Sequence, residues 1–243
     1  MSAFFAALQF LTVFPRPKRM EYYGGELGPA VIFFPVIGSL LGMILALADV
    51  VLELFASAEL SSVTLVAIIT LLTRGLHLDG LADTFDGLGA GGERERVLHV
   101  MQDSHTGAFG VIAIVLVLFF KVYAIESIEG ERWRALLAAP ALGRWAMVLL
   151  GYGSKAAKAG LGASLIDHLK TKHVVLATLL TLILVSAVLR GVGIAVMIGI
   201  AVFVLASKQY FHYRLGGVTG DTFGAVGELS ETSVLVVLAL GVR

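Results

Sequence analysis

His77 to Gly92 reads HLDGLADTFDGLGAGG, three carboxylates and five glycines set directly behind an apolar run. If the stretch is helical, Asp79, Asp83 and Asp86 stand at i, i+4 and i+7, which at about 100° per residue confines them to one narrow stripe. Carboxylates crowded on one edge repel each other and resist ionisation unless a cation or a basic partner compensates. A hard divalent ion is the simplest compensation. Mg²⁺ suits the pattern, since it takes oxygen ligands and is commonly held by a few carboxylates together with substrate phosphates. The glycines, Gly80 and Gly87 to Gly92 among them, leave the neighbouring backbone bare for a bulky ligand.

The rest of the chain decides what kind of fold carries this stretch. Of its 243 residues 58% are hydrophobic and 15% charged, where a soluble domain has about a quarter charged. Mean hydropathy is +0.91. These values predict an all-α, polytopic membrane helix bundle, a single catalytic domain over residues 1–243. Without cysteine the chain has no disulfide, thiolate metal site or Cys nucleophile. Its zero formal net charge gives no reason to expect a nucleic-acid partner; membrane lipid is the expected surroundings.

Seven apolar runs are considered as spans: Gly28 to about Leu47, Ser61 to Leu76, Gly107 to Ile125, Trp133 to Leu150, His173 to Leu189, Gly191 to Ser207, and a short last one from about Ser233, whose beginning is open to being shared with Gly224 to Glu231. Ser2 to Phe14 is apolar but too short to span and lacks a basic leader, so it reads as a segment lying in the interface or packed on the bundle. A turn follows at Pro15-Arg16-Pro17-Lys18-Arg19. With seven spans alternating sides, twelve basic residues, from Arg16, Lys18 and Arg19 to Lys208 and Arg214, share one side. The other side receives four, Arg132, Arg134, Arg190 and Arg243. The positive-inside rule places the first side, and the acidic stretch with it, in the cytoplasm. Lys121 lies near enough to a span end to snorkel.

Two further segments on that side combine glycine with polar groups. Met101 to Gly110 carries Asp103, Ser104 and His105. Gly216 to Glu231 carries Asp221, Glu228 and Glu231, which share a face about 80° wide if helical. The bland readings are a solvated face for Asp79, Asp83 and Asp86, a helix cap at Thr219-Gly220-Asp221, and packing roles for His77, His99 and His105. Against the first stands the glycine content, since each helical glycine costs about 1 kcal/mol relative to alanine. Arg144 falls in mid-span, where a charge is costly: it is either functional or paired within the membrane with a buried carboxylate or with carbonyls.

Carboxylates with a glycine-lined approach at a membrane face suit Mg²⁺-dependent transfer of a phosphate-containing group, with one carboxylate free to take a proton from an attacking hydroxyl. A cation transporter using the same carboxylates is the alternative from another class, although it would place them near the bilayer midplane at broken helices. Asp83-Thr-Phe-Asp86-Gly87 also resembles the opening of the CDP-alcohol phosphotransferase motif, but position 91 is Gly where that family has Arg.

A resemblance to the cobalamin synthase family, the adenosylcobinamide-GDP ribazoletransferases of prokaryotic inner membranes, covers nearly the whole chain. Its carriers are Phe10-Leu-Thr-Val-Phe-Pro15, Phe34-Pro-Val-Ile-Gly38 with Gly42, Leu76-His-Leu-Asp-Gly-Leu-Ala-Asp83 through Asp86-Gly87, Met101-Gln-Asp-Ser104 with Gly107-Ala-Phe-Gly110, and Gly216-Gly-Val-Thr-Gly-Asp221 with Gly224-Ala225 and Glu228. The resemblance implies an Mg²⁺-dependent reaction of adenosylcobinamide-GDP with α-ribazole or its 5′-phosphate that releases GMP and forms adenosylcobalamin or its 5′-phosphate. It implies metal ligation by Asp79, Asp83, Asp86 and Asp221, catalysis by Asp83, Asp86, Asp103 and Glu228, and substrate contacts from His77, Ser104, His105, Arg144 and Gly220. A second copy of the chain and other corrinoid-assembly enzymes are the further partners it leaves open. Residues 154 to 172 match no motif.

Overall fold

The computed structural model describes residues 2–15 and 27–241. The basic turn at residues 16–19 and Arg243 lie outside them. The described chain is helical: α1 (Ser2–Leu11), α2 (Leu27–Ala30), α3 (Phe34–Leu52), α4 (Ala58–Leu72), α5 (Leu76–Ala90), α6 (Arg94–Val100), α7 (Ala108–Ser127), α8 (Arg132–Gly151), α9 (Leu161–His168), α10 (Thr171–Leu189), α11 (Gly191–Leu215) and α12 (Gly220–Gly241). Among the described residues six helical stretches are single candidate spans: α2 with α3, α7, α8, α10, α11 and α12. The fold is the all-α polytopic bundle that the composition predicts.

The second apolar run departs from the sequence reading. Rather than leading straight on, α4 and α5 meet at 89°, so a seventh span exists only if the bent pair is taken as one. With 15 residues α4 is about 22 Å long, short of the roughly 30 Å hydrocarbon core. The corner is Arg74-Gly75, both with positive φ (56° and 64°). Arg74 adopts a conformation that suits glycine better, and its guanidinium donates to the Gln9 carbonyl at 3.1 Å. The Val13 amide donates to the Leu72 carbonyl at 2.8 Å. The N-terminal segment therefore braces the corner, and its Ala6, Ala7 and Leu11 are buried against the bundle.

At the other end of the chain the difference runs the opposite way. The expected short last span is a single 22-residue helix, α12, that begins at Gly220 and takes Glu228 and Glu231 into the bundle. The hairpin between α10 and α11 is as tight as expected, turning at Arg190.

α8 is the axle. It is the most buried span, 83% against 28% for α11, yet the least apolar of the six. Its run of Ala, Gly and Pro allows neighbours to pack backbone to backbone, the usual way helices associate where lipid removes the hydrophobic drive between them. Gly38 and Gly42, one turn apart on α3, lie on α8. A Cβ at Gly42 would stand 2.6 Å from both the Leu136 carbonyl oxygen and the Leu137 Cα. The far end of this contact is closed by Arg132, which donates to Asp49 through Nε (2.8 Å) and Nη2 (2.5 Å). Gly42→Ala is expected to cost about 1–3 kcal/mol by overpacking. A lowered unfolding midpoint in a detergent–SDS titration measures it.

Candidate active site

The acidic stretch forms α5, so Asp79, Asp83 and Asp86 do share one stripe, graded from exposed through half-buried to buried. Each meets a different neighbour. Asp86 faces the start of α7, where its carboxylate accepts from the Gly107 amide at 2.7 Å and the Gly110 amide at 2.8 Å. These are two of the unpaired amides of a helix N-terminus, and an anion there also suits the helix dipole. A Cβ at either glycine would run into the Asp86 carboxylate, which explains the spacing Gly107-Ala-Phe-Gly110. Asp86 thus joins α5 to α7.

Asp79 and Asp83 belong with α12. Gly80 touches the backbone of α12 at Asp221, where an added Cβ would lie 2.8 Å from the Asp221 carbonyl oxygen. Gly224, one turn on, sits against the backbone of His77. Thr219 and Thr222 cap α12 reciprocally, the Thr222 amide donating to Thr219 Oγ1 (3.2 Å) and the Thr219 amide to Thr222 Oγ1 (2.9 Å). Thr219 Oγ1 also donates to Asp221 Oδ2 at 3.2 Å.

Beside this contact is a cavity of about 250 Å³. α5 lines it with His77, Asp79 and Gly80, α12 with Gly220, Asp221, Phe223 and Gly224, and α1 and α8 contribute Phe10 and Met147. The remaining wall was invisible to motif reading: Lys158 to Gly162 and Leu165, from the segment between α8 and α10. A short parallel bridge holds it, the Ala157 amide donating to the Val218 carbonyl (2.9 Å) and the Val218 amide to the Lys155 carbonyl (2.8 Å). Arg94 of α6 adds a bond to the Ala157 carbonyl at 3.2 Å. Lys158 donates to Asp221 Oδ2 at 3.0 Å. The clue available in the sequence was Lys158-Ala-Gly160-Leu-Gly162, a base followed by two spaced glycines.

The repulsion expected of the acidic stripe is present. Burial, then the carboxylates of Asp79, Asp221 and Asp86, push the Asp83 carboxyl up to about 6, with Lys158 opposing them. Among the described residues no three His, Asp or Glu side chains close on a common point as a ready metal cage. Asp103, Ser104 and His105 stand apart from the cavity. They form an exposed turn before α7, in which Asp103 Oδ1 accepts from the His105 amide at 2.9 Å and faces its Nδ1 at 2.7 Å. That contact holds the Asp103 carboxyl below the usual range.

Glu228 and Glu231 lie deeper, in a charged cluster behind the cavity. Lys121 does not snorkel: it is 3% exposed and donates to Glu228 (2.6 Å) and Glu231 (2.7 Å). Six residues short of the end of α7, it meets two carboxylates at its own depth and needs no route to water. Arg144 is buried as well, donating through Nη1 to Glu231, with Nη2 3.5 Å from His77 Nδ1. Of the sequence-derived site residues, the structure gathers His77, Asp79, Gly220 and Asp221 on the cavity, with Asp83 beside them and Arg144 behind His77. Asp86 and Glu228 are engaged at α7 and in the core.

An all-helical bundle with six helical stretches among the described residues long and apolar enough to cross a membrane is a multi-pass membrane protein by class. The chain belongs to the cobalamin-5-phosphate synthase family, whose pattern matches residues 3–239. It is 40% identical over 242 residues to the adenosylcobinamide-GDP ribazoletransferase of Geotalea daltonii, covering 99% of this chain and 98% of that one. The protein of the same name from Desulforamulus reducens is 41% identical over 246 residues, covering 97% and 95%. No solved structure matches. Full-length membership decides against a cation transporter and against the CDP-alcohol phosphotransferases.

Breaking the charged cluster exposes its worth. Lys121→Met strands the buried carboxylate of Glu228, leaves Glu231 with Arg144 alone, and is expected to cost about 3–5 kcal/mol. Adding Glu228→Gln is expected to restore more than half of that, read from unfolding midpoints of the single and double variants.

Proposed function

We propose that this chain transfers the adenosylcobinamide phosphate of adenosylcobinamide-GDP to a hydroxyl of α-ribazole or its 5′-phosphate, releasing GMP. One observation carries the reading: in a chain matching this family end to end, α5 and α12 bring Asp79, Asp83 and Asp221 together beside a cavity. The new bond joins the ribazole oxygen to phosphorus, the bond from phosphorus to the GMP oxygen breaks, and the hydroxyl proton leaves to a base.

Asp83 is placed for that proton. A general base works best with a pKa near the working pH, and burial, then the carboxylates of Asp79 and Asp221, bring Asp83 towards it. Asp79 and Asp221 are the carboxylates that would hold Mg²⁺, assisted by water and by the substrate phosphates. The fit is one of donor chemistry: oxygen ligands, and mutual repulsion that a dication relieves. When bound, the ion would neutralise charge on the diphosphate. Asp86 and Glu228 serve instead to hold α5, α7 and α12 in place.

About 250 Å³ is small for a ligand pocket, which typically measures about 300–1,000 Å³. The diphosphate and an adjoining sugar fit, and the corrin ring rests outside. The bias of basic loop residues supports a cytoplasmic opening in the cell membrane, where both water-soluble reactants can reach it.

Purified protein in lipid is expected to release GMP from adenosylcobinamide-GDP only with ribazole and Mg²⁺ both present; no release under those conditions overturns the proposal. Asp83→Asn is expected to lose about 10²–10⁴-fold in turnover while remaining folded. Because Asp83 is pushed up to about 6, kcat/KM is expected to fall as pH drops through about 6, where the base becomes protonated. Raising Mg²⁺ shifts that fall to lower pH, since the ion favours the carboxylate.

A further inference from the structure

Lys158 is the basic side chain on the cavity wall, and no motif marks it. Its Nζ lies 3.0 Å from Asp221 Oδ2, and the two side chains are 23% and 22% exposed. The Thr219 hydroxyl donates to the same Oδ2. The bridge between Ala156 and Val218, with the Arg94 bond to Ala157, fixes the backbone on which Lys158 is carried, two residues before the glycine that opens α9. A flexible four-carbon stem on a fixed root lets the ammonium move while the wall stays put.

We infer that Lys158 exchanges partners: it neutralises Asp221 in the nucleotide-free site and moves onto the diphosphate of the substrate when the site is loaded. The argument rests on the reading given under Proposed function, in which Asp221 is a carboxylate offered to Mg²⁺. A lysine donating to Asp221 Oδ2 is an intramolecular cation at the metal's own ligand, so it opposes the metal both by occupying an oxygen and by like charge. The diphosphate brings two negative charges, against the single one of Asp221, within reach of the same stem. Their arrival draws Lys158 away and frees Asp221, so nucleotide and metal favour each other's binding, and by linkage the effect is mutual. The result is a site that holds its metal weakly until the nucleotide is there to share it.

The test uses full-length protein in lipid nanodiscs, with Mn²⁺ as the paramagnetic probe of the metal site. Removing Lys158 moves two measurements in opposite directions. Lys158→Met is expected to tighten Mn²⁺ binding to nucleotide-free protein by about three- to tenfold, followed by electron paramagnetic resonance. The same variant is expected to raise KM for adenosylcobinamide-GDP by about tenfold or more. Lys155→Met, an exposed neighbour on the same loop, removes equal charge and is expected to change neither. Unchanged or weaker Mn²⁺ binding in Lys158→Met overturns the exchange, as does an unchanged KM. The Mn²⁺ arm needs no turnover, so it decides the role of Lys158 at Asp221 even if the assigned reaction fails.

Discussion

The site depends on two helices touching at their backbones. Where α5 crosses the start of α12, Gly80 lies on Asp221 and Gly224 on His77, with no side chain between. This approach makes the carboxylates of two remote segments neighbours, and it leaves bare main chain at Gly80, Gly220 and Gly224 on one wall of the cavity beside them. Any side chain at Gly80 would part the helices and separate Asp79 and Asp83 from Asp221. The same device recurs at Gly38 and Gly42 on α8, so a bundle without strong apolar drive between its helices is set by which residues are small enough to let main chains meet.

Charge is the second constraint, and it is handled in two ways. In the core, Lys121 and Arg144 face Glu228 and Glu231, two cations against two anions, with the remaining guanidinium edge turned towards His77. At the cavity the balance is left negative: Asp79, Asp83 and Asp221 have Lys158 alone to answer them in the causes acting on Asp83. A balanced core holds the helices in register, and an unbalanced rim is ready for a charged ligand. Together they account for a site that is rigid in its frame and reactive at its edge.

Much of this was legible in the sequence. Periodicity gave the acidic stripe on α5, and apolar length gave the positions of α7, α8 and α10 within a few residues and the start of α11, whose polar end runs on past Ser207 to Leu215. The 89° corner was hidden because Arg74 takes a conformation that its type does not advertise, held by a carbonyl from a segment 65 positions away. The continuity of α12 was hidden because glycine and glutamate weaken a hydropathy window, whereas the cations that offset Glu228 and Glu231 belong to other helices. Lys121 was misread for the same reason. Asp86 looked like its two companions on the stripe, and only the neighbouring glycine amides show that it is a cap. The wall from Lys158 to Gly162 carried no recognisable pattern, since its place is fixed by main-chain pairing with Val218 rather than by residue type.

The order of the chain gives the buried cluster a bearing on biogenesis. Lys121 and Arg144 are synthesised with α7 and α8, while Glu228 and Glu231 arrive with the last helix. A helix bearing two ionised glutamates partitions poorly into lipid by itself, and its earlier partners are equally ill at ease without it. Docking of α12 against α7 and α8 therefore offsets the cost of carrying its two glutamates into the membrane. Because α12 also supplies Asp221, the ion pairs that seat this helix in the core also set the wall of the cavity.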